Sequence, residues 1–138
     1  MSWMVAVVGG EWPMPDDPAY RPPPLGSGNE VRDRISAHLP DVDWTEPAWG
    51  KYVGEGFTFE FSVGPEEPVD CVAVYVRGSG DAIPDLLRFS IPNGWHLIDG
   101  SNGERIDPIS PSSDNWHRWQ AYRDKIRMAP HADDPPHG

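Results

Sequence analysis

Three groups of carboxylates contain the side chains of this sequence that are best suited to chemistry. They are Asp41 with Asp43, then Glu66, Glu67 and Asp70, and finally Asp99, Glu104 and Asp107. Two carboxylates can act together as general acid and base, and carboxylate oxygens are the ligands that a hard divalent cation prefers. None of the groups has the twelve-residue spacing of an EF-hand loop. The spacing favours solvated turns, and the alternative is a small metal-dependent or small-molecule-binding enzyme that uses Asp41, Asp43 or Asp99.

The other reactive side chains do not form a catalytic pattern. The five histidines are scattered, at His38, His96, His117, His131 and His137. No two of them have the one-turn spacing that zinc sites use, and the single cysteine, Cys71, cannot complete a thiolate site. Cys71 stands in an apolar, β-rich run, which predicts a buried small side chain rather than a nucleophile. We therefore expect no catalytic residue, no metal and no cofactor.

A glycine-rich stretch, Gly78-Ser79-Gly80-Asp81, follows an apolar run and precedes a helical pattern. It lacks the third glycine of the dinucleotide-binding pattern and the Gly-Lys-Ser/Thr ending of a P-loop. The carboxylate of Asp81 would also repel a phosphate group. The stretch therefore predicts a helix N-terminus, with Asp81 as N-cap and Pro84 in the first turn.

The charge of the chain is strongly negative and unevenly distributed. The net charge is −11, from 22 acidic and 11 basic residues. Residues 1–117 contain 19 acidic and 7 basic side chains, whereas Arg118–Arg127 contains four basic and one acidic. An acidic body repels phosphate backbones, which argues against direct nucleic-acid binding, and it speeds encounter with a basic partner. The basic C-terminal stretch could dock on the acidic body, stay solvated or grip a partner.

The stretch Phe57–Arg77 predicts a β-hairpin at the centre of the molecule. From Phe57 to Phe61 every second residue is a phenylalanine, so the first strand has one buried face. The second strand, around Val72–Val76, is apolar on both faces, which predicts a central position in the sheet. The acidic segment Gly64–Pro68 is predicted as the turn between the two strands.

Three helices are predicted from periodicity and capping residues. The first follows Ser27, which forms a capping box with Glu30, and it stops before Pro40. The second is the helix that Asp81 opens. The third runs from about Asn115 to Arg127. Along one side of this third helix lie Trp116, Trp119, Arg123 and Ile126.

These elements predict one α+β domain over residues 1–127. We expect a two-layer sandwich, with a mostly antiparallel sheet of four to five strands, helices on one face, and the order β-α-β-β-β-α-β-α. Residues 11–26 are predicted to form a proline-rich loop that is either disordered or lies over the surface. Residues 128–138 are predicted to form a disordered tail. The N-terminus lacks a signal-peptide pattern, and no segment approaches the roughly 20 apolar residues of a membrane span. A cytoplasmic location without membrane contact is expected.

The run Phe57–Asp107 resembles small bacterial cytoplasmic proteins. The resemblance is carried by the FTFEF strand, the VRGSGDAIPDLL helix entry, the strand Gly94-Trp95-His96-Leu97-Ile98-Asp99 and the following Gly103-Glu104. In overall character the chain is similar to the immunity proteins that neutralise toxins of polymorphic toxin systems. This resemblance covers about half of the chain. It implies a compact, acidic binding protein without catalytic residues, and it transfers no site residue.

The expected function is therefore that of a non-enzymatic protein-binding domain. Its acidic loops and tryptophans would occlude a basic toxin domain, with nucleases the natural candidates because their active clefts are positive. The residues predicted to contact the partner are Asp41, Asp43, Trp44, Glu46, Trp49, Glu66, Glu67, Asp70, Asp99 and Glu104.

Overall fold

A computed structural model describes residues 2–13 and 15–108, which form a six-stranded antiparallel sheet and two helices, a mixed α+β fold. The strands are β1 (Trp3–Val8), β2 (Asp43–Glu46), β3 (Trp49–Val53), β4 (Phe57–Ser62), β5 (Val72–Gly78) and β6 (His96–Asp99). The helices are α1 (Gly28–Ser36) and α2 (Ile83–Ser90). The strand order across the sheet is β2-β3-β4-β5-β1-β6. The predicted third helix and the predicted disordered tail lie outside the described residues.

The sheet confirms the central hairpin and corrects the strand count. β4 and β5 pair from Phe57 opposite Gly78 to Ser62 opposite Ala73, and β5 lies between β4 and β1 in the interior of the sheet. The sheet has six strands rather than the predicted four to five, because Val42, Trp44 and Trp49–Val53, which predict a broken strand pair with its turn at Glu46-Pro47, lie in two full strands of the sheet, β2 and β3, apart from Val42 just before β2. The predicted five-residue turn is also too short, since the connection between β4 and β5 covers residues 63–71.

One face of the sheet, the inner face, carries the hydrophobic core. Alternate residues of β1, β4 and β5 are buried there, and the buried residues of both helices belong to the same cluster. The aromatic rings of Phe59 and Phe61 meet edge to face at 5.8 Å, and Phe61 meets Phe89 of α2 at 5.6 Å. Phe89 in turn contacts Trp95, which precedes β6. Both helices therefore bury their apolar sides against the inner face.

The opposite face of the sheet, here called the outer face, follows from the register of the strand pairs. Residues that pair directly across antiparallel strands point to the same side. The side chains on the outer face are Met4, Ala6, Val8, Trp49, Lys51, Val53, Thr58, Glu60, Ser62, Ala73, Tyr75, Arg77, His96 and Ile98. Several of them are large and apolar, although an antiparallel sheet usually presents polar residues on a face that meets water.

Helix α1 begins as its sequence predicts. The Ser27 hydroxyl accepts a hydrogen bond from the Glu30 backbone N–H, and the Glu30 carboxylate accepts one from the Ser27 N–H. This second bond lowers the pKa of Glu30. Val31 and Ile35 are buried in the core. The capping box therefore fixes where α1 starts, and the two apolar residues fix which side faces the sheet.

Helix α2 begins one residue later than predicted. Its N-cap is Ala82, without a side-chain capping bond, and Asp81 lies just before it. The Asp81 carboxylate accepts a long hydrogen bond of 3.4 Å from the Ile83 N–H, and Pro84 occupies the first turn. The prediction of Asp81 as N-cap is therefore wrong by one position. The shift leaves the exposed Asp81 carboxylate at the mouth of a cleft.

Candidate functional site

A cleft of about 490 Å³ lies where the turn between β3 and β4 meets the start of α2. We call it the acidic cleft. It is lined by Tyr52, Glu55, Phe57, Asp81, Asp85 and Arg88. The buried Tyr52 and Phe57 form its aromatic part, and Glu55 and Asp81 are exposed. Three carboxylates against one guanidinium give this cleft a negative charge.

Glycines bring the two sides of the acidic cleft together. The N–H groups of Ser79 and Gly80 donate to the Gly56 carbonyl at 2.8 and 2.9 Å. A Cβ on Gly80 would collide with the Glu55 carbonyl, and Gly78 has φ +112°, which disfavours any other residue. The glycine-rich stretch therefore lets the loop before α2 contact the β3–β4 turn through the backbone. Glu55 and Asp81 reach the same cleft as a result.

Asp85 organises the interior of the acidic cleft. The Tyr52 hydroxyl donates to one carboxylate oxygen of Asp85 at 2.8 Å, and the Arg88 guanidinium lies 2.8 Å from the other. Burial raises the pKa of the Tyr52 hydroxyl, and its hydrogen bond to Asp85 raises it further. Tyr52 therefore remains a neutral donor, and Asp85 is engaged by residues of the chain itself. The carboxylates available to an incoming group are those of Glu55 and Asp81.

A shallower depression of about 370 Å³ adjoins the acidic cleft and shares Phe57 with it. Val53 and Arg77 line this depression, and the Val53 side chain is 76% exposed. An exposed apolar side chain next to a charged cleft is typical of an interface, where an apolar contact lies beside polar ones. The two depressions together form a surface on which a cationic group and an apolar group could bind side by side.

The predicted residues near β2 lie on the edge of the sheet or against the core. Asp41 and Asp43 are exposed, and the Thr45 hydroxyl and N–H donate to the Asp43 carboxylate and lower its pKa. Trp44 is half-buried against the core, and its indole N–H donates to the Ser36 hydroxyl at 2.8 Å. Glu46 is exposed at the end of β2. The interactions of Asp43 and Trp44 show that both contribute to the scaffold.

A second set of predicted residues surrounds the β4–β5 loop. Glu66, Glu67 and Asp70 are exposed there, and the Glu67 carboxylate accepts the Gly28 N–H at the start of α1. Trp49 lies on the outer face, where its ring stacks on Tyr75 at 5.8 Å. Backbone bonds from residues 63 and 64 to the Ala48 carbonyl place this loop beside the β2–β3 turn. Glu46 therefore lies near this loop.

Cys71 is exposed, so the prediction of a buried cysteine is wrong. It precedes β5 rather than lying within it, and residues at the end of a strand lose the cover of the neighbouring strands. Partial desolvation nevertheless raises the pKa of the Cys71 thiol, and the Asp70 charge adds to this effect, against an opposing hydrogen bond from the Val7 backbone. The raised pKa makes Cys71 a poor nucleophile near neutral pH.

The last predicted residues lie at the β6 edge. Asp99 has no exposed surface, and its Oδ1 accepts hydrogen bonds from the Trp3 indole at 3.0 Å and from the Ser101 N–H and hydroxyl. Glu104 is exposed in the chain beside it. Four strands separate this edge from β2, so Asp99 cannot cooperate with Asp41 or Asp43. Asp99 is thus buried, and its carboxylate binds Trp3 and the turn that follows β6.

The structure thus groups carboxylates that the sequence did not predict to lie together. Glu55 lies between two glycines, and Asp81 and Asp85 are four residues apart, so both can reach the same side of the start of α2. These two local signals could have suggested a cleft. The contact between Gly56 and Gly80 that joins them connects residues distant in sequence and has no local signature.

The described part of the chain, residues 2–13 and 15–108, contains no group of three or more metal-ligating side chains placed to hold an ion. Neither of its helices is long and apolar enough to cross a membrane. Comparison with known protein families, with curated proteins and with solved structures gives no match to this chain.

Proposed function

We propose that the chain is a non-catalytic protein-binding domain that recognises a basic surface on another protein. The acidic cleft is the observation that carries this proposal. A guanidinium or ammonium group entering it would meet the exposed carboxylates of Glu55 and Asp81 beside the rings of Tyr52 and Phe57. Carboxylates bind such cations through charge-assisted hydrogen bonds, and aromatic faces attract them as well.

The acidic cleft is held by the core of the domain, so its walls are in place before a partner binds. Tyr52 and Phe57 belong to the hydrophobic core cluster, and their rings contact each other and Phe59. Asp85 is fixed by Tyr52 and Arg88. A preformed site loses little conformational entropy when a partner binds, so more of the interaction energy appears as affinity.

The net charge of the domain indicates what kind of partner it would bind. The described residues include 18 acidic and 7 basic side chains, a balance of −11. A field of this sign accelerates association with a positive surface and repels nucleic acid. Nucleases carry positive clefts because they bind phosphates. We therefore infer that the partner is a nuclease-type toxin domain, and that the chain acts as its immunity protein in the bacterial cytoplasm.

The experiment starts with the immobilised full chain and a lysate of the host. We expect retention of a basic domain that degrades nucleic acid and loses this activity when the free chain is added. Affinities are then measured for the wild type, for Glu55→Gln/Asp81→Asn, and for the control Glu66→Gln/Asp70→Asn, which removes the same charge from the β4–β5 loop. The cleft variant should bind roughly 10- to 100-fold more weakly, and the control should change the affinity less.

Two results would contradict separate parts of the proposal. A captured partner without nuclease activity would overturn the toxin assignment. If Glu66→Gln/Asp70→Asn lowers the affinity and Glu55→Gln/Asp81→Asn does not, the partner binds at the β4–β5 loop. This result would refute the acidic cleft as the binding site.

A further inference from the structure

The outer face of the sheet has a strip of neighbouring apolar side chains on which neither described helix packs. Trp49 of β3 stacks on Tyr75 of β5, Met4 of β1 pairs with Tyr75, and Ile98 of β6 pairs with Ala6. The residues of this strip are half-buried, whereas both described helices pack on the inner face. Contiguous apolar surface on a sheet is stabilised when another element packs over it.

We propose that the C-terminal segment, residues 109–138, docks on this outer face and covers the apolar strip. The described chain ends in the right place for it. The Ile106 N–H donates to the Leu97 carbonyl, so the chain runs along the β6 edge just before Pro108. The Arg105 guanidinium lies 5.2 Å from the centre of the Trp12 ring and 3.1 Å from Nδ1 of His96, an outer-face residue. The described chain therefore ends close to the β6 edge and to the outer-face residue His96.

The length of the segment matches the width of the strip. The sequence from Asn115 to Arg127 has 13 residues, and a helix of this length spans about 20 Å. The four strand spacings from β6 to β3 amount to about 19 Å. Residues 109–114 would bridge from the β6 edge to the start of this helix. Its apolar side, with Trp116, Trp119 and Ile126, would then face Ile98, Met4, Tyr75 and Trp49 in turn.

The direction in which the segment crosses the sheet follows from its start at the β6 edge, and the exposed carboxylates of β2 lie at its far end. Arg123, Lys125 and Arg127 are concentrated at its far end, which would reach β3 and β4. Glu60 lies there on the outer face, where the Arg77 guanidinium binds it at 2.8 Å, and Lys51 lies opposite it on β3. Asp43 and Glu46 are exposed on the adjacent strand β2. The basic end of the segment would thus approach the exposed carboxylates of Asp43 and Glu46 at the β2 edge.

The two lysines of the chain, Lys51 and Lys125, provide a direct test. Lys51 lies on the outer face of β3, and the proposal places Lys125 close to it. The full-length chain is treated with a short amine-reactive cross-linker, and the peptides are identified by mass spectrometry. A 1:1 mixture of unlabelled and ¹⁵N-labelled chains distinguishes links within one chain from links between two. We expect a Lys51–Lys125 link within one chain at high dilution.

Matched variants then test the contact itself. Trp116→Ala/Trp119→Ala should lower the yield of this link several-fold, whereas His117→Ala, on another side of the predicted helix, should leave it unchanged. Circular dichroism shows whether each variant retains the fold. The proposal is overturned if both lysines are modified without being joined, if the link forms only between labelled and unlabelled chains, or if the tryptophan variant and the control give the same yield.

Discussion

Glu67 is exposed in the β4–β5 loop, yet we expect its replacement by alanine to destabilise helix α1. Both carboxylate oxygens of Glu67 lie close to the Gly28 backbone nitrogen, at 2.9 and 3.0 Å. Gly28 is the first residue of α1, so its N–H has no partner within the helix. The loop thus supplies the acceptor that the helix lacks, from 39 residues away in sequence.

The expected size of the effect follows from this geometry. One N–H shared between two oxygens counts as a single charge-assisted hydrogen bond, and loss of a comparable capping contact costs about 0.5–2 kcal/mol. The carboxylate also interacts favourably with the positive end of the helix, by about 0.3–1 kcal/mol at an exposed position. We therefore expect Glu67→Ala to lower the free energy of unfolding by about 1–2 kcal/mol. For a domain of this size that corresponds to a fall in Tm of roughly 3–8 °C.

The neighbouring residue offers a matched control for this measurement. Glu66→Ala removes the same charge from the same exposed loop, and we expect it to change the stability by less than about 0.5 kcal/mol. Thermal and denaturant unfolding of both full-length variants, followed by circular dichroism at low ionic strength, gives the comparison. Equal stability of the two variants would show that the loss is caused by charge alone and would refute the capping role of Glu67.

Three further measurements test the core and two of the four shifted pKa values. Phe89→Ala should lower the free energy of unfolding, measured with denaturant, by about 3–5 kcal/mol. Ile91→Ala, at a half-exposed position, should lower it by less than about 0.5 kcal/mol. Similar losses for the two variants would contradict the described core. Because burial and Asp85 raise the pKa of Tyr52, this residue contributes stability that is lost as the pH rises above the ordinary value of 10.0, and Tyr52→Phe should flatten this alkaline loss. The raised pKa of Cys71 predicts that its alkylation rate rises at higher pH than that of free cysteine, and an inflection at or below the free value would contradict it.

Local patterns in the sequence were enough to predict the elements at the centre of the domain. The capping box of Ser27 and Glu30 involves residues three positions apart, and its two hydrogen bonds form as predicted. The alternation of Phe57–Phe61 identified β4 and its buried face, and the apolar run Val72–Val76 identified a strand inside the sheet. These features depend on a period of two or on a fixed spacing, so the sequence displays them directly.

The candidate site depends on contacts between residues that are distant along the chain, which local patterns do not contain. Glu66 and Glu67 are the same residue type in the same loop, yet the structure assigns only Glu67 to α1 through Gly28. Asp99 was grouped with Glu104 and Asp107 as a solvated carboxylate, but it has no exposed surface and its carboxylate accepts the Trp3 indole N–H. The hydrogen-bond partners of Glu67 and Asp99 depend on the order of the strands in the sheet. That order does not follow from the periodicity of the sequence.

The two edges of the sheet determine how another chain can approach it. At β6 the segment around Glu104 and Ile106 already exchanges hydrogen bonds with the strand, so that edge is occupied. At β2 the register is irregular and the Thr45 N–H is bound by the Asp43 carboxylate. Strand-by-strand growth into fibrils or β-linked dimers is therefore blocked at one edge and opposed by charge at the other. At these two edges of the described sheet, a protein partner is therefore expected to bind through side chains rather than by adding a strand.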